Sequence, residues 1–198
     1  MAITTKSLFA AAMAVQVVSG APPVKSPLEG FEIFIPSWNV EVSPGHFEVL
    51  NGTVEEVMSQ ILEINPDFVV PEPTAEVPAE SGAAPLEKRS QVWCNTYPQN
   101  SASRVRFQQG VNYLRGVSGT PHHGAGPNTC GRVSCSYNAA IYWCNNNHTP
   151  KTLSSYDAIA NSAQHILNSC PDYLFLNHIS GSNFEASNWV VHLMGDLC

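Results

Sequence analysis

The chain has 198 residues, a formal net charge of −7, 13% charged side chains and six cysteines. That balance excludes a basic stripe for nucleic acid, and no apolar run is long enough for a membrane span. The length fits one domain or two small ones.

The charge is not spread evenly. From Ala21 to Glu87 there are twelve acidic residues and one lysine; from Ser90 to Cys198 there are four acidic and five basic residues. All six cysteines (Cys94, Cys130, Cys135, Cys144, Cys170 and Cys198) fall in the second piece. The break coincides with Lys88-Arg89, which follows a Pro/Ala/Glu-rich stretch from Pro71 to Glu87 too polar to fold alone. Lys88 and Arg89 are therefore read as a processing site for a kexin-type protease. A chance dibasic pair in a linker is the plain alternative.

Residues 1–20 read as a secretory signal peptide: Lys6 supplies the positive start, Leu8 to Val18 the apolar core, and Val18-Ser19-Gly20 the small residues before the cut. Residues 21–89 then form an acidic pro-region. Phe31 to Ile35 and Val40-Glu41-Val42 alternate as strands, Pro44-Gly45 marks a turn, and Phe47 to Leu50 resumes a strand. Thr53-Val54-Glu55-Glu56 has the spacing of a capping box. It opens a helix with Val54, Val57, Met58, Ile61 and Leu62 on one side, stopped at Asn65-Pro66. The segment either chaperones the cysteine-rich half, masks its active surface, or is a passive spacer.

Residues 90–198 are the mature domain. Phe107, Val111 and Leu114 recur at helical spacing, with Arg104, Gln108 and Arg115 turned to water. Gly110 interrupts that pattern. Gly116 to Pro127 reads as loop. Arg132 to Asn145 reads as one long strand, bent near Asn138. Val133, Cys135, Tyr137, Ala139, Ile141 and Trp143 take one face, and Tyr142 and Cys144 the other. On that parity Cys135 and Cys144 cannot bond each other. Ser154 to Asp157 caps a second helix carrying Ile159, Ala163, Ile166 and Leu167, ended by Cys170-Pro171. Gly181-Ser182 reads as a turn. Ser187 to Cys198 is a final strand, apolar on both faces and so covered or central. The class is α+β: a small disulfide-rich domain with an antiparallel sheet and two helices on one face. Six cysteines imply three disulfides, of open connectivity, and an oxidising compartment.

The mature half resembles small cysteine-rich secreted fungal proteins, the necrosis-inducing extracellular effectors and αβ killer toxins. Four features carry the likeness: the Trp93-Cys94 start, a first helix ending near Arg115, and the strand led by Cys135-Ser136-Tyr137. The fourth is the polar-capped helix from Ser155 to Cys170 followed by a strand closing on Cys198. The segment from Arg104 to Arg115 lacks the cysteine usual in the necrosis-inducing group, so no pairing is carried over. The resemblance implies a secreted, extracellular virulence protein or toxin, without a cofactor. Its partner would be a host or competitor protein, glycan or membrane channel.

Candidate binding residues are Tyr142, expected to be exposed as interface aromatics often are, the pair His122 and His123 in a Gly-rich loop, and Arg104 and Arg115 on the first helix. Each has a plain alternative, a core filler for the aromatics and a solvated loop or helix face for the others. Catalysis is unsupported: there is no Gly-x-Ser-x-Gly elbow, and no metal-ligand spacing among the cysteines. A ribonuclease-like hydrolase using His122 or His123 with Glu185 or Arg132 is the enzymatic alternative, and a cell-wall or surface structural protein the third reading. Asn51 and Asn147 begin glycosylation sequons. A monomer is expected.

Overall fold

The computed structural model describes residues 28–69, 90–173 and 176–198. The signal segment, the Pro-rich linker and Lys88-Arg89 lie outside the described residues.

The acidic piece builds the elements its pattern predicts. Glu32–Phe34 is β1, and Ser37–Ser43 (β2) pairs antiparallel with His46–Asn51 (β3). Gly45 sits in the turn at φ +75°, a conformation glycine adopts without steric cost. Helix α1 spans Val54–Ile64. Thr53 precedes it, and the Glu56 carboxylate accepts the Thr53 backbone N–H at 2.7 Å, as a capping box requires. Val54, Val57, Met58 and Ile61 are buried, but Leu62 is exposed.

Five strands of the second piece and β1 of the acidic piece form the main six-stranded sheet, in the order β1-β7-β8-β12-β11-β4. Their ranges are Gln91–Cys94 (β4), Thr129–Ser136 (β7), Ala139–Asn145 (β8), Gly181–Glu185 (β11) and Trp189–Gly195 (β12). Every pairing is antiparallel except that of β1 with β7, which is parallel. Short strands Ala102–Ser103 (β5) and His178–Ile179 (β10) pair separately, as do His122–His123 (β6) and Lys151–Thr152 (β9). The presumed loop after Gly116 therefore contains a strand. Helices α2 (Arg104–Arg115) and α3 (Tyr156–Ser169) bury Phe107, Val111, Leu114, Ile159, Ala163 and Ile166 in one cluster with Val133, Ile141, Trp143, Val191 and Leu193 of the sheet. Trp38, Val40, Val42, Val54, Val57, Met58 and Ile61 of the acidic piece belong to that same cluster. The α+β expectation with helices on one face holds, and α1 joins α2 and α3 there.

The segment read as one strand is a hairpin. Tyr137 and Asn138 both have positive φ, 48° and 61°, which is the turn geometry that matches the twist of two flanking strands. The reversal, and a register shift between Arg132 and Ser134, reset the parity of the side chains. Cys135 and Cys144 thus lie on the same face, in a second cluster with Cys130, Tyr142, Val190 and Met194. Tyr137, assigned to the buried face, is at the exposed turn under the Arg106 guanidinium, 3.8 Å from its ring centroid. The three disulfides join Cys94 to Cys170, Cys130 to Cys144 and Cys135 to Cys198.

Other expectations change for packing reasons. Helix α3 begins one residue later than expected, after Ser155, whose side chain makes no cap bond. Gly181-Ser182 begins strand β11 rather than a turn; a Cβ on Gly181 would sit 2.7 Å from Ile166, so glycine lets the strand approach α3. Arg104 is only partly open to water. Its guanidinium reaches the carbonyls of Leu167 and Cys170 and pairs with Asp172, pinning the end of α3. Gln108 likewise exchanges amide hydrogen bonds with Gln164 on α3.

Gly110 is explained by contact. A Cβ there would collide with Ser134 Oγ and lie 3.1 Å from Ile141, so α2 rests directly on the hairpin. Gly110→Ala gains about 1 kcal/mol of helix propensity but overpacks this contact, which typically costs about 1–3 kcal/mol. A net loss in urea denaturation is expected; a stabilised variant would contradict the close packing.

Candidate functional site

Two histidines of the second piece are buried, and each is covered by a phenylalanine of the acidic piece. The elements that hold them are β6, β11 and β12, and the cover is the stretch through β1. On the helix-bearing face, His123 is 1% exposed. Its ring lies edge-on between Phe34, at 4.7 Å, and Trp143, at 5.1 Å. Its Nδ1–H donates to the Gly124 carbonyl at 2.9 Å, which leaves Nε2 buried with no partner. Burial pushes the His123 imidazole below its ordinary pKa, against smaller upward effects of backbone carbonyls.

On the other face, His192 stands opposite Ser182 in the β11–β12 register. Phe31, Tyr97 and Phe184 surround its ring edge-on at 6.3, 5.6 and 6.4 Å. A chain of hydrogen bonds fixes its tautomer. Thr96 donates to the Trp93 carbonyl, so Ser182 must donate to Thr96, and His192 Nδ1–H must donate to Ser182 Oγ at 2.7 Å. The Tyr97 hydroxyl is 3.2 Å from the same nitrogen. Nε2 then carries a bare, buried lone pair. The proton lies on the histidine side of the Ser182 contact, the reverse of what a base activating serine needs. Burial lowers the His192 pKa to about 4.

The sign of the pH effect follows. The unfolded chain takes up the His192 proton below about 6.5, whereas the folded chain resists it until about pH 4. Stability is full above the unfolded value and lost as pH falls through this window. The loss is on the order of 3 kcal/mol. The groups that face His192 are Tyr97, Ser182, Phe31 and Phe184, none of them charged. Urea midpoints at pH 7 and pH 4.5 check this: a fall on acidification is expected, and an unchanged midpoint would contradict the buried neutral imidazole.

Of the residues singled out from sequence, the structure brings few together. Tyr142 is fully buried, not exposed. Its hydroxyl donates to Asp196, which also accepts from Arg132 at 3.1 Å, and burial and that carboxylate raise its pKa. His122 is exposed and bonds Thr152. Arg115 reaches Asn161 at 3.3 Å. Glu185 accepts from Asn183, so neither it nor Arg132 is hydrogen-bonded to His122 or His123. Asn51 is exposed, whereas the Asn147 side-chain nitrogen already donates to Asn145, Ser187 and Asn188. Among the described residues no three His, Cys, Asp or Glu side chains converge as a metal site, and no helix is long and apolar enough to cross a membrane. His192 with Ser182 is the pair that sequence reasoning missed. Its only signal was an apolar strand with a histidine at its centre.

The cover extends beyond the two phenylalanines. Trp38 stacks on Tyr156 at 4.3 Å, and its Nε1–H donates to the Gly52 carbonyl at 2.8 Å. Glu55 of α1 accepts from Ser134 Oγ at 2.5 Å and from the Cys135 backbone N–H at 3.1 Å, satisfying the strand where its register shifts. These features define a disulfide-stapled α+β protein whose first described segment packs onto both sheet faces of the rest. No protein-family model, no curated protein and no solved structure matches the chain.

Proposed function

We propose that the chain is a secreted precursor, cut at Lys88-Arg89, whose 90–198 piece is an effector or toxin-like protein of the fungal kind. It acts without catalysis, by binding a protein, glycan or channel of a host or competitor, and the 28–69 unit masks that binding surface until the cut.

The observation that carries this reading is the placement of the acidic unit. It sits on both faces of the sheet and buries Trp38, Val40, Val42 and the α1 stripe against the cysteine-rich half. None of the disulfides reaches it. Once the chain is cut, only non-covalent contacts hold it. Its departure would uncover a contiguous apolar area, and such areas mark interaction sites.

The test compares the processed protein with a Lys88→Ala/Arg89→Ala precursor on host tissue and on competitor cells. The processed form is expected to act and the uncut form to be inactive, with activity lost on reduction. Equal activity of both forms would overturn the masking. Turnover of RNA or another polymer by the processed form would favour the hydrolase.

A further inference from the structure

The place where β1 sits has the form of a strand-binding site. β7 lies at the edge of the sheet built by the 90–198 half, and β1 covers that edge. An uncovered edge presents a row of unpaired backbone donors and acceptors that another strand can complete. Glu32, Ile33 and Phe34 pair with Thr129, Cys130 and Gly131, and the Glu32 N–H donates to the Asn128 carbonyl at 2.8 Å.

The side chains of this stretch enter two different slots. Phe34 lies over Gly131, where a Cβ would sit 2.8 Å from its ring, so glycine creates the space. That slot ends at His123. Ile33 and Phe31 pack on the opposite face against the cluster of Tyr142, Val190 and Met194, and Phe31 meets His192. Each slot therefore contains a histidine at least nine-tenths buried whose Nε2 has no partner. Leaving such an atom unsatisfied in the interior is unfavourable, and a phenylalanine ring gives it no hydrogen bond.

We propose that the β7 edge, with the Gly131 slot beside His123 and the slot over His192, is a receptor for an extended strand of another protein. That strand carries an aromatic residue, then an aliphatic residue two positions on, then a second aromatic residue immediately after. Phe31, Ile33 and Phe34 hold the site in cis. Main-chain pairing supplies affinity and the alternate side chains supply selectivity, as in other strand-addition complexes. This inference rests on the reading that the 90–198 half works by binding.

The experiment uses the full, uncut chain. In Phe31→Ala/Phe34→Ala both histidines lose their phenylalanine neighbour while Trp38 and α1 still anchor the acidic unit. A labelled synthetic peptide with the sequence of residues 28–36 is titrated by fluorescence anisotropy against the variant and the unaltered chain. The variant is expected to bind at least tenfold tighter than the unaltered chain, and a scrambled peptide to bind neither. Panning random displayed peptides on the variant is expected to enrich the stated spacing of aromatic and aliphatic residues. Should the double variant fail to fold, Phe34→Ala alone, which empties only the slot beside His123, serves for the same titration. A folded variant that takes up no peptide, that binds the scrambled peptide equally, or that enriches sequences without that spacing would overturn the proposal. Because the uncut chain is used, peptide binding with no biological activity in the processed form would sink the effector reading alone.

Discussion

Trp38→Ala is expected to destabilise the protein by about 3–5 kcal/mol, the usual cost of truncating a fully buried tryptophan. Trp38 is 0% exposed and is the largest fully buried side chain among the described residues. Its loss removes the stack on Tyr156 and the hydrogen bond to Gly52 together. The effect should not be uniform. Amide exchange in β2, β3 and α1 should rise more than exchange in β8 and β12, because the disulfides hold the second piece and not the first. Uniform acceleration across all strands would mean that the two pieces unfold as one unit. A change below about 1 kcal/mol would mean that the stack is not an anchor.

Opening the Cys94–Cys170 bridge should have an effect of similar size. It closes the longest disulfide loop, with a sequence separation of 76, and chain-entropy reasoning assigns such a loop about 4 kcal/mol. It ties β4, the sheet edge far from β1, to the end of α3, where Arg104 also holds the carbonyl of Cys170. Cys94→Ala/Cys170→Ala should therefore lower the urea midpoint more than Cys130→Ala/Cys144→Ala, whose loop has a separation of only 14. The opposite ranking would show that strain or residual structure, not loop closure, governs these bridges. Against a total stability of about 5–15 kcal/mol for a domain of this size, reduction of all three bridges should unfold the protein.

Local signals in the sequence were readable where a short stretch decides the outcome. The spacing of Thr53 with Glu56 marked the start of α1, and Phe107, Val111 and Leu114 marked the inner stripe of α2. The central strand at 189–195 was legible because it is apolar on both faces. The β7–β8 hairpin was not, since its turn is Tyr137-Asn138 with no glycine, and the alternation of residue types runs through it unbroken. Reading it as one strand reversed the parity of Cys135, whereas Tyr142 lies on the face opposite Ile141 and Trp143 as expected and is buried because Leu28, Phe31, Ile33 and Phe184 cover that second face. Strand β11 was hidden because Gly181-Ser182 has the composition of a turn, and the reason for that glycine, contact with Ile166, is non-local.

The candidate site was legible only in part. The break at Lys88-Arg89 divides the sequence into two pieces unlike in charge and cysteine content, yet it concealed their shared core. The α1 stripe of Val54, Val57, Met58 and Ile61 exceeded what a two-stranded hairpin could cover, which was a local sign that it packs elsewhere. The meeting of His192 with Ser182, and of Phe31 and Phe34 with two histidines, depends on register and on a parallel pairing across nearly a hundred residues. No local pattern encodes such a pairing.

The central claim is that the 28–69 unit is a non-covalent cover on the 90–198 half. Native mass spectrometry of the chain after cleavage by a kexin-type protease tests it most directly. The account predicts two pieces with no covalent link, which separate without reductant, the larger piece beginning at Ser90 and still containing three disulfides. Two pieces that stay joined in denaturant until reductant is added, or a chain left intact at Lys88-Arg89, would contradict it.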